Sequence, residues 1–181
     1  VVCWGDNAWG KAAPPDSVNV VSGTATDVAA GPGYSCAIQA ETGNVICWGI
    51  GSFGQATPPD DVNGVSGTAT DIATGSSHSC AVQTESGHVV CWGDDTYGQA
   101  TAPDSVNGVS GTAIAITAGR HHSCAIQAGT GYAVCWGYDY SGQTRPPDPV
   151  SGAHTAIDIA AGGSHGCATQ AGTRNVVCWG K

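Results

Sequence analysis

Short runs of alternating apolar and polar residues fill the chain, separated by clusters of Gly, Ser and Pro. Between residues 68 and 92 the alternation predicts three strands, Thr68–Ala73, His78–Gln83 and His88–Trp92. The separating segments 75–77 and 85–87 have the Gly and Ser composition of tight turns. No apolar stripe with a 3.6-residue period lasts three turns, so the pattern predicts an all-β protein.

The same pattern recurs along the whole chain. Cys-Trp-Gly triplets place tryptophans 44, 44, 44 and 43 residues apart, at Trp4, Trp48, Trp92, Trp136 and Trp179. This period predicts one repeat domain, 1–181, of four repeats with approximate bounds 5–48, 49–92, 93–136 and 137–180. Residues 1–4 then correspond to a strand left from a preceding blade.

Each repeat has room for four short antiparallel strands, since a weaker apolar segment near Val62–Val65 precedes the three described above. Four strands in about 44 residues is the size of a propeller blade, and one such unit cannot bury both of its faces alone. We therefore predict a β-propeller, or part of one, with four 44-residue four-stranded blades. A β-solenoid is the structural alternative, although its coils usually span about 20 to 29 residues.

Eight of the nine cysteines also follow the repeat. Folding each hairpin about its central turn, for example about Glu41-Thr42, brings the two cysteines of one repeat opposite each other. The disulfides predicted in this way are Cys36–Cys47, Cys80–Cys91, Cys124–Cys135 and Cys167–Cys178. The rival register links neighbouring repeats, as in Cys3–Cys36, and zinc is a further alternative because His78 and His122 lie two residues before cysteines.

Cys3 is left without a hairpin partner in the favoured register. Residues upstream or another chain would supply its mate, and in the second case the first strand would complete a blade of that chain. Stable disulfides form in an oxidising compartment, so the cysteines predict a secreted or cell-surface protein.

Composition narrows the classes of partner. The net charge is −9 and only 5 residues are Lys or Arg, which argues against nucleic acid because phosphate binding needs clustered basic side chains. No apolar run reaches the roughly 18 residues that a membrane span needs, and no leader pattern opens the chain, so a signal was removed or the sequence starts within a longer protein. No cofactor and no metal site are expected.

Two sequence segments resemble a known family. The hexapeptide His-Ser-Cys-Ala-Ile-Gln at 122–127, and a stretch of the form Gly-x-Val-x-Cys-Trp-Gly followed by an aromatic-Gly-Gln turn, resemble the repeat of the regulator of chromosome condensation family. An Ile-Ala-Ala-Gly segment and a Gln-x-x-x-Pro step are similar to secreted β-lactamase inhibitors of the propeller type. The resemblance implies a seven-bladed propeller that acts by binding, from which four repeats depart.

Aromatic residues occupy one turn position in successive repeats. Trp9, Phe53 and Tyr97 align between Trp-Gly and Gly-Gln, and Tyr140 lies beside Ser141 in the fourth copy. Similarity to the inhibitors implies that this turn contacts a protein partner, and aromatic side chains are enriched in binding hot spots. The alternative is that these rings only cap the neighbouring blade.

Another repeated position holds Tyr34, His78, His122 and His165, for which we predict a structural role with hydrogen bonds to the backbone. No catalytic constellation is recognised, since the serines beside the blade cysteines lack a nucleophile-elbow context. The sequence thus predicts a non-enzymatic extracellular module that binds a protein partner through the aromatic turn. The alternative is a structural subunit of a surface fibre or array, in which copies of the chain bind head to tail.

Overall fold

The computed structural model describes residues 1–19, 21–151 and 155–181, and its strands form four antiparallel three-stranded sheets. We call these sheets blades 1 to 4. Blade 1 contains β1 (Ala25–Ala30), β2 (Tyr34–Gln39) and β3 (Val45–Gly49); blade 2 contains β4 (Ala69–Thr74), β5 (His78–Gln83) and β6 (Val89–Gly93); blade 3 contains β7 (Ala113–Ala118), β8 (His122–Gln127) and β9 (Ala133–Gly137); blade 4 contains β10 (Ala156–Ala161), β11 (His165–Gln170) and β12 (Val176–Gly180).

The three strands predicted between residues 68 and 92 are therefore confirmed to within one residue at their ends, and each of the other blades has three equivalent strands. In every blade a bulge interrupts the pairing of the first two strands, as between Ala69 and Asp71 in blade 2. The described residues also include a single-turn helix α1 (Asp148–Ser151) and a 3-10 turn (Ala8–Gly10). Among these residues no helix is long and apolar enough to cross a membrane.

The fourth strand that the sequence predicts near Val62–Val65 is absent, and a turn stands in its place. The Val62 N–H donates to the Pro59 carbonyl oxygen within the turn (3.1 Å), so it is not available to a sheet. Gly64 adopts a left-handed conformation, with φ of 94°. One bond still ties the turn to blade 1, from the Val45 N–H to the Val62 carbonyl oxygen (2.9 Å). The blades are propeller blades with three strands, and the predicted repeat bounds stay a prediction.

All four hairpin disulfides are confirmed. Each joins cysteines 11 positions apart that face each other across the second and third strands, with Cα atoms 4.0–4.1 Å apart. The inter-repeat register is therefore wrong, and the cysteines near His78 and His122 are not free to bind zinc. Cys3 is a free thiol and is partly buried.

The blades pack side by side around a common axis, because their first strands β1, β4, β7 and β10 contact one another in succession. Apolar side chains fill the joints between blades. At the first joint, Ile38 and Val45 of blade 1 pack with Ile72 and Trp92 of blade 2. Trp92, Trp136 and Trp179 lie in these joints and are 8–9% exposed, which explains why the repeats keep them, whereas Trp4 is 88% exposed.

Glycine in the triplet turns the chain out of each blade. Gly93 has a φ of 100°, and a Cβ at this position would lie 2.6 Å from the Ser77 carbonyl oxygen. The next residue, Asp94, donates its N–H to the same oxygen (2.8 Å). The segment that follows each triplet is thereby held at the end of the blade where the first strand turns into the second.

Candidate functional site

The four turns that follow the triplets lie on one side of the molecule. Ile50 donates its N–H to the Gly33 carbonyl oxygen and Tyr138 donates to that of His121, both at 2.9 Å, as Asp94 does to Ser77. Each bond places a triplet turn beside the turn between the first two strands of a blade. We call the surface formed by residues 6–11, 50–55, 94–99 and 138–143 the aromatic turn face.

The predicted aromatic residues project from this face into solvent. Trp9 is 65% exposed, Phe53 58%, Tyr97 48% and Tyr140 86%. Exposure of large apolar rings at regular intervals on one surface is unusual for side chains whose role is to cap a blade. Ser141 occupies the position in the fourth turn that corresponds to Tyr97.

Buried glutamines hold three of these turns in shape. Oε1 of Gln55 accepts the Phe53 N–H (2.9 Å), and Gln99 and Gln143 make the same bond to Tyr97 and Ser141 (2.8 Å each). These glutamine side chains are at most 2% exposed. The sequence shows a Gly-Gln step in three of the four turns, but it does not reveal the role of the glutamine.

The next blade clamps the backbone of the same glutamines. The Gln55 carbonyl oxygen accepts the Trp92 indole N–H (2.9 Å) and the Ser79 hydroxyl (3.0 Å). Gln99 receives the corresponding bonds from Trp136 and Ser123 (3.0 Å each). Because side chain and backbone are both fixed, the exposed rings sit on a rigid support, which lowers the entropic cost of binding.

The first turn is built differently because Lys11 replaces the glutamine. Lys11 pairs with Asp6 (2.8 Å), and its Nζ lies 5.5 Å from the centre of the Trp9 ring. Trp9 itself has a φ of 63°, a left-handed conformation that non-glycine residues seldom adopt. Lys11 thus replaces the hydrogen bonds of glutamine with an ion pair and a cation–π contact.

A cluster of rings joins the turns that follow blades 2 and 3. The Tyr97 ring centre lies 4.8 Å from that of Tyr138 and 5.3 Å from that of His121, and Tyr138 stacks at 6.4 Å on Tyr140. Sequence reasoning missed Tyr138 and His121 because neither recurs in the other copies. Their departure from the repeat is itself the signal, since Asp94 and Ser77 hold the matching positions in the preceding copy.

Charged groups on the face are engaged within their own turns. A hydrogen bond from the Thr96 hydroxyl lowers the pKa of Asp94, which also accepts a bond from the buried Gln99 amide (2.8 Å). Arg145 pairs with Asp139 at 2.6 Å. The aromatic rings are therefore the main uncommitted groups that this face offers to a partner.

The Tyr and His position lies between blades rather than on the face. Tyr34 donates its hydroxyl to the His78 carbonyl oxygen of the next blade, as predicted, and receives the Ser79 hydroxyl (2.9 Å). His78 uses Nε2 to bond the Ser123 hydroxyl (2.9 Å). His122 is equally buried, but blade 4 has Gly166 at the serine position and its ring nitrogens have no partner among the described residues. His165 is exposed.

The described ranges contain no group of three or more His, Cys, Asp or Glu side chains arranged to hold a metal ion.

Comparison with known proteins supports the repeat assignment. A sequence model of the regulator of chromosome condensation (RCC1) repeat matches residues 25–55 and 69–99, which cover strands and aromatic turns of blades 1 and 2. No curated protein sequence matches the chain at a significant level.

Solved structures share the fold. The ectodomain of the receptor kinase CR4 from Physcomitrella patens superposes with a TM-score of 0.70 at 24% identity, over 87% of this chain and 42% of that chain. The CRINKLY WD40 ectodomain of the Arabidopsis thaliana receptor kinase ACR4 gives 0.65 at 24% identity, over 87% and 50%. Prp20p from Saccharomyces cerevisiae gives 0.69 at 19% identity, over 90% and 47%.

This chain therefore spans about half the length of the solved structures that it resembles. The similarity to propeller-type β-lactamase inhibitors stays a prediction. Two of the four repeats thus match the RCC1 repeat, and the four disulfide-bonded blades share the fold of a propeller segment with the solved RCC1-type structures.

Proposed function

We propose that this chain is an extracellular protein-binding module that uses the aromatic turn face. The observation that carries the proposal is the set of exposed rings, Trp9, Phe53, Tyr97 and Tyr140, on one side of a rigid scaffold. Such rings offer large contact areas that lose little conformational freedom on binding. The Tyr97–Tyr138–Tyr140 cluster would form the centre of the contact, flanked by Phe53 and Trp9.

Related folds support a binding role. Two similar structures are ectodomains of receptor kinases, and Prp20p is described with binding properties to Gsp1p and histones. For this chain we propose a protein partner rather than nucleic acid, because its net charge of −9 opposes contact with phosphates. The four disulfides support a secreted or cell-surface location.

We also propose that the chain is not an enzyme. The titratable side chains with large pKa shifts, Tyr34, Asp71 and His78, lie against neighbouring blades, where they bond His78, Ile116 and Ser123 respectively. An active site needs such groups to converge on a space that admits substrate. Here they join blade to blade instead.

The proposal is tested by replacing Trp9, Phe53, Tyr97 and Tyr140 with Ala. Partner proteins are captured from the extracellular fraction of the source cells, and binding of each purified partner is then measured. We expect at least about tenfold weaker binding by the alanine variant, because removal of a hot-spot side chain alone weakens binding by that much. Circular dichroism and thermal unfolding should stay unchanged, since the four rings are exposed.

The chain offers a matched control on its opposite side. Val65 and Val109 are exposed apolar residues at one repeat position, and they lie beside the turns between second and third strands, where Gly64 contacts Asn44 and Gly108 contacts His88. Val65→Ala with Val109→Ala should leave binding intact. Equal losses in both variants, or none in the aromatic variant, would refute the proposed face.

A further inference from the structure

An open depression of about 250 Å³ lies beside the common axis of the blades, where the first strand of each blade turns into the second. It is on the same side as the aromatic turn face, because the triplet turns bond to these same turns. Every residue that lines it is Gly, Ala, Pro, Ser or Thr, with the single exception of Arg120. We call this site the central depression.

The wall of the central depression is closely packed. A Cβ at Gly119 would lie 2.4 Å from the Gly162 carbonyl oxygen, and one at Gly75 would lie 2.6 Å from that of Gly119. Neighbouring turns therefore approach so closely that only glycine fits at these positions. The Arg120 N–H donates to the Gly163 carbonyl oxygen of the next blade (3.3 Å), which fixes the backbone that carries the arginine.

Arg120 departs from the repeat. The other three copies have Pro32, Ser76 and Gly163 at this position, so the fold itself does not need an arginine there. The Arg120 side chain is exposed, and among the described residues its guanidinium has no ion-pair or hydrogen-bond partner, whereas Lys11 is paired with Asp6. The guanidinium is thus available to a group that enters the depression.

Acidic groups near the depression are already engaged. Asp94 accepts hydrogen bonds from Thr96 (2.5 Å) and from Gln99 (2.8 Å), and Asp95 accepts one from Thr101 (2.7 Å). In the described part of the chain no Asp or Glu lines the depression. The local charge is therefore positive, although the net charge of the whole chain is −9.

Aromatic rings border the depression on two sides. Cε3 of Trp9 lies 3.8 Å from the point that a Cβ on Gly33 would occupy, and Gly33 belongs to the turn of blade 1. On the side of blade 3, the residue after Arg120 is His121, whose ring centre lies 5.3 Å from that of Tyr97. A group that reaches Arg120 is therefore flanked by rings of the aromatic turn face.

We propose that an acidic side chain of the partner protein enters the central depression and pairs with Arg120. This inference rests on the proposed function and specifies the chemistry of the partner. A guanidinium presents donors in a planar fork that matches the two oxygens of a carboxylate. The partner then presents a convex loop with Asp or Glu at its tip, and apolar neighbours of that residue contact the rings.

A carboxylate fits this site better than a chain of phosphates does. Binding to a phosphate backbone needs several clustered basic side chains, and the central depression has one. A polyanion would also be repelled by the net charge of −9 along its whole length. A single acidic side chain meets only the local positive charge.

Selection from a library of disulfide-constrained peptide loops displayed on phage tests the chemistry of the partner. We expect the parent chain to enrich loops that carry Asp or Glu beside apolar residues. The Arg120→Glu variant should enrich loops with Lys or Arg instead, because the charge in the depression is reversed. Parent-selected loops without an acidic residue would overturn the proposal.

Calorimetry with one synthesised acidic loop then measures the pairing. Arg120→Gln should weaken binding about tenfold to a hundredfold, as expected when a charge-assisted hydrogen-bonded pair is lost. Arg174→Gln is the matched control, since it makes the same change of charge in the turn between β11 and β12. Replacing the acid of the loop by its amide should weaken binding equally, and should have no further effect in the Arg120→Gln variant.

Two further arms separate the possible failures. Displacement of the loop by inorganic phosphate at equal ionic strength would overturn the proposal, because it would show a general anion site. The alanine variant of the four exposed rings distinguishes this proposal from the proposed function. Binding that needs the rings but not Arg120 would refute only the pairing, whereas binding that needs Arg120 but not the rings would support the pairing and refute the aromatic turn face.

Discussion

At the scale of single residues, the pKa of His78 is strongly affected by the surroundings of its side chain. Burial between blades lowers its pKa from 6.5 to about 4, with further contributions from His122 and His121. In the unfolded chain the imidazole takes up a proton near its ordinary pKa, so between these values the unfolded state binds more protons. The contribution of His78 to stability is therefore complete above about pH 6.5 and decreases as the pH falls toward 4.

We expect His78→Gln to reduce this loss. On acidification from about pH 7 to about pH 5, the variant should lose about 2 kcal/mol less unfolding free energy than the parent chain. Urea unfolding at several pH values measures the difference. His88→Gln is the control and should follow the parent, because the only change is at a partly exposed histidine outside the joints.

Asp71 changes the pH dependence of stability in the direction opposite to that of His78. Burial raises its pKa to about 6, and the neighbouring Asp27 carboxylate adds to the effect. Because the folded state then binds the proton more readily, Asp71 adds stability as the pH falls through 6. Asp71→Asn should therefore lose more stability than the parent on acidification, measured in the same series, and a smaller loss would show that this carboxyl is not buried at the joint.

Gln99 supports one turn of the aromatic turn face. Its side chain is fully buried and bonds both the Tyr97 N–H and the Asp94 carboxylate. Gln99→Ala leaves both groups without these bonds, so we expect a loss of about 1–3 kcal/mol in unfolding free energy and weaker partner binding. Titration of the purified partner shows whether binding declines while Tyr97 is still present, and unchanged affinity would mean that the turn does not need this support.

At the scale of elements, each hairpin disulfide closes a short loop. For the Cys80–Cys91 hairpin, the chain-entropy model gives a stabilisation of about 3 kcal/mol. Replacing both cysteines with Ala should lower the unfolding free energy by a similar amount in urea titrations. The reduced parent chain serves as a comparison, and it should lose more because all four staples open; equal losses would mean that one hairpin controls the whole fold.

The strands were predictable because turn residues and alternation agree in every copy. His78–Gln83 was predicted without error at either end, since Gly and Ser precede it and a tight turn follows. The segment Val62–Val65 was predicted wrongly because its apolar pattern resembles a strand, while Pro59 and Gly64 direct its backbone into a turn. The alternation of apolar and polar side chains does not show whether a backbone N–H already donates a hydrogen bond within a turn.

For the candidate site, the repeat identified the residues that recur in successive copies and failed to identify those that occur only once. Trp9, Phe53 and Tyr97 were found because they share a position, and the structure places them on one face. Tyr138 and His121 were missed because they occur once each, and only packing between blades 2 and 3 brings them to Tyr97. Contacts between neighbouring blades depend on how the blades are oriented relative to one another, and the sequence of one repeat does not specify that orientation.

At the scale of the whole molecule, the blades present different surfaces at their two opposite sides. The aromatic turn face carries the exposed rings of Trp9, Phe53, Tyr97 and Tyr140. The opposite side carries the turns beside Val65 and Val109, which are exposed and apolar but not aromatic. Variants that change only one side therefore test which side binds the partner.

Hydrogen–deuterium exchange of the chain with and without its purified partner tests the central claim most directly. The account predicts slower exchange on binding in the turns 50–55, 94–99 and 138–143, with little change near Val65 and Val109. Protection confined to the turns that carry these valines, or protection that persists in the alanine variant of the four aromatic residues, would contradict the aromatic turn face as the binding site.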